Sequence, residues 1–188
     1  MGETATFLKS RWYVAALTTE VGDTPLARTI AGEKIVLFRN TKGKIIALED
    51  RCAHRQAPLS LGEIVGDNIQ CGYHGLTFDD SGSCVRVPSQ KLIPPGACVR
   101  AYPATEKQGF VHLWTGDRKP TSEETPFDFP FAAMKGLNAR YAALSGKFDY
   151  RLLIDNLMDL THLGFTHKNT IGTGGVADSG KAKSERQG

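Results

Sequence analysis

Over roughly the first two thirds of the chain, apolar and β-branched residues come in short runs, each closed by Gly, Pro, Asn or Asp. Residues 11–17, rich in aromatic and β-branched types, read as a first strand in which Trp12 is a packing residue. Residues 26–30 and 33–39 flank Ala31-Gly32 as a hairpin, and Asn40-Thr41-Lys42-Gly43 is turn chemistry leading into a strand over 44–50. Shorter candidates follow at 63–65 and 68–70, then at 76–78 and 84–87 around the turn 79–83. Two more, at 99–102 and 109–114, come after a loop stiffened by Pro94 and Pro95. This succession predicts an antiparallel all-β domain to about Gly116. His112 alternates with Val111 and Leu113 and reads as structural or surface, not as a ligand.

The pattern changes after Gly116. Residues 116–130 place Pro120, Pro126 and Pro130 among Thr, Ser, Glu and Asp, the composition of a linker. Residues 140–150 predict one strand of a second domain, interrupted at Gly146. Residues 150–162 contain neither Gly nor Pro and carry apolar residues at helical spacing, which predicts one helix. Residues 172–188, rich in Gly, Ser, Lys and Ala without an aromatic, predict disorder. The expected domains are therefore 1–118, 119–171 and a tail at 172–188.

Length and charge narrow the possibilities. At 188 residues the chain suffices for one domain and part of another. A net charge of +3, with no basic run interleaved with aromatics, argues against a nucleic-acid partner. The N-terminus lacks the charged start and apolar stretch of a signal peptide, and no window reaches membrane-span length, so a soluble cytoplasmic protein without a membrane partner is expected. Met1-Gly2 with Thr6 fits a myristoylation pattern loosely and reads as an initiator Met-Gly. In a reducing compartment Cys84 and Cys98 are expected as free thiols.

The chemistry concentrates in residues 52–74. Cys52-Ala53-His54 is followed, after sixteen residues, by Cys71-Gly72-Tyr73-His74. In [2Fe-2S] clusters of the mixed-ligand kind, two thiolates hold one iron and two imidazoles the other. Each loop would bring one sulfur and one nitrogen to one small cluster, so 55–70 must turn back on itself. Pro58, Gly62 and Gly66 suit that turn. A zinc site of two Cys and two His is the alternative, although zinc sites usually use Cys-x2-Cys and His-x3-5-His pairs. Any one of the four could be a buried core residue; four together at this spacing argue otherwise.

Cys52-x-His54, Cys71-x2-His74, Gly75 and the run 54–60 together resemble the Rieske cluster of ring-hydroxylating and demethylating oxygenases. The extra loop cysteines of respiratory Rieske proteins are replaced here by Ala57 and by Tyr73 or Gly75, and Gly72 stands where the oxygenases more often have Pro. The run 155–162, followed by x4 and His167, is similar to the mononuclear iron motif of the same family, especially its vanillate O-demethylase type, as are residues 11–17. On their own, two histidines five apart at a helix end read as capping or surface residues; Asp159 and His162, three apart, would share a helix face. The resemblance covers about residues 8–171.

The resemblance implies an all-β Rieske domain followed by the start of an α+β catalytic domain, truncated. It assigns the [2Fe-2S] cluster to Cys52, His54, Cys71 and His74, and a mononuclear Fe(II) to His162 and His167. Asp159 would bridge these to a cluster histidine across the boundary of a head-to-tail homotrimer, with Asn156 in support. The third iron ligand would be a downstream carboxylate; neither Asp178 nor Glu185 is assigned to it. The implied activity is that of the oxygenase component of an aromatic monooxygenase or O-demethylase. An NAD(P)H-dependent reductase or ferredoxin supplies electrons, dioxygen is activated, and a small aromatic methyl ether loses its methyl group as formaldehyde. Two alternatives are a Rieske electron carrier without catalysis, against which the 150–167 motif argues, and an inactive truncated fragment.

Overall fold

The computed structural model describes residues 7–130, 135–136, 138, 140–143 and 145–170. It divides into two units, 1–142 and 143–188. The first unit is built from three antiparallel sheets. Strands β1 (Arg11–Leu17), β9 (Ala104–Lys107) and β10 (Phe110–Thr115) form one, in the order β1-β10-β9. Strands β2 (Leu26–Ile30), β3 (Glu33–Arg39) and β4 (Ile45–Glu49) form the second in sequence order. Four short strands, β5 (Glu63–Val65), β6 (Asn68–Gln70), β7 (Thr77–Phe78) and β8 (Cys84–Arg86), form the third, which carries the second Cys-His loop.

The sheet β2-β3-β4 lies between two cores, and this explains its sequence. Successive strand residues face opposite sides. Val36, Phe38, Ile46 and Leu48 enter a core shared with Cys52, Leu59, Ile69, Cys71 and Phe78, while Ile35, Leu37, Ile45 and Ala47 enter another shared with Ala16, Val111 and Leu113. A sheet buried on both faces needs unbroken apolar runs rather than alternation, and 35–38 and 45–48 supply them. The thiols of Cys52 and Cys71 thus belong to the core that ends beneath the histidines.

Several expectations change. Residues 99–102 do not extend into a strand: one bridge joins Leu48 to Ala101, with Glu49 N–H donating to the Arg100 carbonyl and Tyr102 N–H to that of Ala47. Pro103, which has no N–H, ends the pairing there. The segment 116–130 packs against its own unit. Trp12 Nε1 donates to the Glu124 carbonyl at 2.6 Å, Phe129 N–H donates to Gln108 at 2.7 Å, and the Phe129 and Phe110 rings lie 5.4 Å apart.

No strand forms among the described residues of 140–150. The expected single helix over 150–162 is broken. Helix α1 (Tyr150–Met158) is capped at its start by Asp149, whose carboxylate accepts the Arg151 N–H, and stops at Asp159. A 3-10 turn (Leu160–His162) and the short α2 (Leu163–Thr166) follow. The expected tail at 172–188 lies outside the described residues.

Candidate metal centre

The two Cys-His loops have the same backbone. In the first, Cys52 N–H donates to the Ala57 carbonyl at 2.8 Å and Gln56 N–H to the Cys52 carbonyl at 2.9 Å. In the second, Cys71 N–H donates to the Leu76 carbonyl at 2.8 Å and Gly75 N–H to the Cys71 carbonyl at 3.0 Å. Each loop is therefore a six-residue hoop closed at both ends on its cysteine, with the histidine on the outside. Sequence spacing alone, Cys-x-His against Cys-x2-His, hides this equivalence.

Two glycines let the hoops approach. A Cβ on Gly62 would lie 2.0 Å from the Gln70 carbonyl oxygen, and one on Gly72 would lie 2.8 Å from that of Leu61, both inside contact distance. The chain leaving the first hoop can therefore lie directly against the chain entering the second.

Cys52 and Cys71 are each 2% exposed, whereas His54 and His74 are exposed. The imidazole centroids lie 4.6 Å apart, and Tyr73 stacks on His74 at 3.9 Å. The two thiols are free, not joined as a disulfide, and their side chains are within hydrogen-bonding reach. Burial pushes the Cys52 thiol up, the backbone N–H of His54 aimed at the sulfur pulls it down, and the neighbouring Cys71 raises it further. Donors thus come as a buried sulfur pair and an outer imidazole pair. Among the described residues no three His, Cys, Asp or Glu side chains close around one ion. A paired set fits a two-iron cluster, which takes the thiolates on one iron and the imidazoles on the other, and N–H groups directed at a sulfur stabilise it as thiolate.

Asp50, which sequence reasoning did not single out, ties down the first hoop. It is 8% exposed, and its two oxygens accept from Ser60 N–H and Ser60 Oγ, both at 2.7 Å. Asp50 precedes Cys52 by two residues and Ser60 follows the hoop, so the pair closes the loop at its base. An Asp at a strand end before a Cys-x-His is the only sequence signal.

In the second unit His162 and His167 come together, with ring centroids 5.3 Å apart. Asp159 does not share a helix face with His162. Its backbone caps α1, and its carboxylate accepts from Thr161 N–H at 3.0 Å and Thr161 Oγ1 at 2.6 Å. These bonds, led by the Thr161 hydroxyl, hold the Asp159 carboxyl below its ordinary range. His162 Nδ1 meets the Asp159 carbonyl oxygen; a carbonyl only accepts, so Nδ1 is the donor in this contact and Nε2 is the nitrogen left outside it. Asn156 lies exposed on α1. His112, read as structural or surface, is 2% exposed on β10, and among the described residues neither ring nitrogen has a hydrogen-bond partner.

Residues 11–103 match the Rieske [2Fe-2S] domain, and residues 147–187 match the vanillate O-demethylase oxygenase C-terminal domain. The chain is 39% identical over 172 residues to the toluene-4-sulfonate monooxygenase system iron-sulfur subunit of Comamonas testosteroni, covering 91% of this chain and 50% of that protein. It is 40% identical over 170 residues to a vanillate O-demethylase oxygenase subunit of a Pseudomonas species, covering 88% and 47%. The crystal structure of dicamba monooxygenase bound to dicamba superposes with a TM-score of 0.76 at 38% identity, over 87% of this chain and 49% of that one. The chain spans about half the length of the relatives it matches. No helix among the described residues is long and apolar enough to cross a membrane. With its two domain matches in this order, the chain belongs to the Rieske oxygenase family of the vanillate O-demethylase type.

Proposed function

We propose that Cys52, His54, Cys71 and His74 hold a [2Fe-2S] cluster and that the chain is the electron-receiving part of an oxygenase component acting on a small aromatic methyl ether. The carrying observation is the donor arrangement: a buried, unoxidised sulfur pair beneath an exposed imidazole pair on two equivalent hoops. When bound, the cluster supplies one electron at a time, and a mononuclear Fe(II) held by two histidines and a carboxylate supplies open positions for dioxygen. The chain's own groups do the positioning. The hoop hydrogen bonds and the Asp50–Ser60 contact fix the thiols, and Tyr73 covers one face of His74.

In the second unit, His162 and His167 would be the two imidazole ligands. The Nδ1–H bond to the Asp159 carbonyl orients the His162 ring with Nε2 free to ligate. The Asp159 carboxylate would couple this site to a cluster histidine across a trimer boundary, supported by Asn156. The substrate class follows that of its relatives, among them the vanillate and dicamba O-demethylases. A reductase or ferredoxin would be the electron source.

Two measurements test this reading. Purified anaerobically, the chain should be red-brown with about two irons and two sulfides, and Cys52→Ser or His74→Ala should remove the visible spectrum; a colourless protein with one zinc would sink it. A chimera continuing from Gly188 into the C-terminal part of the Pseudomonas vanillate O-demethylase subunit should release formaldehyde from vanillate with reductase and NADH. That release should disappear in His162→Ala, and its survival there would remove the mononuclear iron assignment.

A further inference from the structure

Two grooves flank the candidate cluster site. One, of about 560 Å³, opens on the histidine side; His54, His74, Leu76, Pro88 and Pro94 stand in its walls and, among the described residues, no cysteine does. The other, of about 370 Å³, opens on the sulfur side and is lined by Glu49, Arg51, Cys52, Gln56, Cys98 and Val99. Of the four cysteines, Cys52, Cys71 and Cys84 are buried and Cys98 is exposed. The sulfur-side groove thus joins an exposed thiol to a buried one.

Backbone pairing holds Cys98 at that groove from two sides. On one side Ala101 bridges Leu48, and Glu49 N–H donates to the Arg100 carbonyl at 2.8 Å. On the other, Ser83 bridges Cys98, Cys84 N–H donates to the Ala97 carbonyl at 2.9 Å, and Val99 N–H donates to that of Gly82 at 2.8 Å. Neighbours in an extended segment face opposite ways, so Ala97 and Val99 pack on the core that holds Cys52 and Cys71, and Cys98 between them faces out. Cys84 does not share this position. It is 6% exposed, and its thiol donates to the Arg86 carbonyl at 3.4 Å.

The burial of the candidate ligands sets a delivery problem. A cluster carried on thiolates changes hands when an incoming thiolate takes the place of an outgoing one, and that exchange needs a sulfur the donor can touch. Cys52 and Cys71, each 2% exposed, do not offer one, whereas Cys98 does. Once Cys98 has made the first exchange, the second, at Cys52, becomes intramolecular and proceeds at a raised effective concentration.

We propose that Cys98 is the entry thiol of the site: it takes a [2Fe-2S] cluster from a thiolate-ligated donor at the sulfur-side groove and hands it inward to Cys52. This rests on the cluster site proposed above. Cys98 forms a sulfur–iron bond as one donor thiolate leaves, and that leaving thiolate takes up the proton Cys98 gives up. Cys52 then displaces Cys98 in the same way and returns a proton to it. No electron is transferred in either exchange, and two irons and two sulfides move together.

The test is the rate at which the cluster-free 188-residue chain acquires its visible and circular-dichroism spectrum from a [2Fe-2S] complex of glutathione, under anaerobic conditions. Cys98→Ser and Cys98→Ala should each load about tenfold more slowly or worse, because the intramolecular second step is lost. The end point should not change: the same spectrum, the same iron and sulfide content, and no faster loss of iron to a chelator without thiols. A second arm uses a carrier protein that holds the same cluster through one cysteine and glutathione. Slow loading of the variants from both donors supports an entry thiol for either source, and slow loading from the complex alone supports one for free thiolate complexes. Loading at the parent rate from both would overturn the proposal. So would slow loading with an altered spectrum or faster iron loss, which would make Cys98 a resident ligand or a support of the fold. A parent chain that acquires no cluster would remove the cluster assignment itself, an outcome distinct from equal rates in parent and variants.

Discussion

Removing the Asp50 carboxylate should loosen the first hoop more than any other single polar change near the site. Asp50→Ala deletes both acceptors for Ser60, leaving an N–H and an O–H that now bond at 2.7 Å to a carboxylate only 8% exposed. A hydrogen bond to a charged group contributes about 1.5–3 kcal/mol net. The two bonds share one carboxylate and are not additive, and half-buried Ser60 can recruit water in part, so the expected loss is about 2–4 kcal/mol. At about 1.4 kcal/mol per factor of ten, that is roughly 30- to 1,000-fold in the opening equilibrium. Asp50→Asn keeps one acceptor and should lose about half as much.

Hydrogen exchange on the cluster-loaded chain reads the effect locally. The Gln56 and Cys52 amides, which close the hoop on the Cys52 and Ala57 carbonyls, should exchange faster by the factor above, while the Leu37 amide in β3 changes less. Denaturant unfolding supplies the global figure, and the cycle Asp50→Ala, Ser60→Ala and the double variant isolates the pair. A variant within about 0.5 kcal/mol of the parent, with unchanged exchange at Gln56, would refute the claim that this contact closes the loop.

Three further outcomes are expected. With the respiratory-type loop cysteines absent, the reduction potential should lie near the low end of the Rieske range, at about −150 mV by protein-film voltammetry; a value near the upper limit would contradict an oxygenase-type cluster. Burial, with Lys107 adding to it, depresses the His112 ring below its ordinary value of about 6.5, so the unfolded chain binds a proton that the folded chain refuses. The stability involved is fully present above about pH 6.5 and is lost as pH falls through the depressed folded value; His112→Leu should flatten the slope of unfolding free energy between about pH 7 and 5, and an unchanged slope would clear His112. Lastly, the 188-residue chain should bind Fe(II) weakly at its second unit. Among the described residues two imidazoles gather there, and Leu152, Leu153, Ile154 and Leu157 stand 64%, 44%, 50% and 62% exposed; tight stoichiometric uptake of a third iron in an anaerobic titration would show the site complete.

The sheet β2-β3-β4 and its hairpins were legible because two-sided burial and turn chemistry leave strong local marks at 35–38, 45–48, Ala31-Gly32 and 40–43. The packing of 116–130 was not. It depends on Trp12 and Gln108, more than a hundred and about twenty residues away from their partners, and the segment itself shows proline and polar residues around two isolated aromatics, Phe127 and Phe129. Residues 140–150 illustrate the opposite error, since β-forming composition yields a strand only where a ladder partner exists. At the candidate site, residue types and spacing singled out the four candidate donors, but not that both hoops close identically on their cysteines, nor that Asp50 and Gly62 support the closure.

Asp159 shows most directly where periodicity stops being informative. Nothing between Tyr150 and His162 breaks helical spacing, so pattern alone runs the helix through and stacks Asp159 beneath His162. Asp, however, competes with the helix by accepting nearby backbone N–H groups, and here it takes Thr161 N–H and the Thr161 hydroxyl at φ −93° and ψ 92°. The break changes what Asp159 offers to a metal site. Its carboxylate is already engaged by Thr161, whereas its carbonyl fixes the His162 tautomer. The carboxylate can still accept from outside, because two of its four lone-pair directions meet Thr161 and the residue is exposed. Capping and coupling are therefore compatible in one side chain: the turn that spoils the helical face also holds the acid and the imidazole in fixed register with one another.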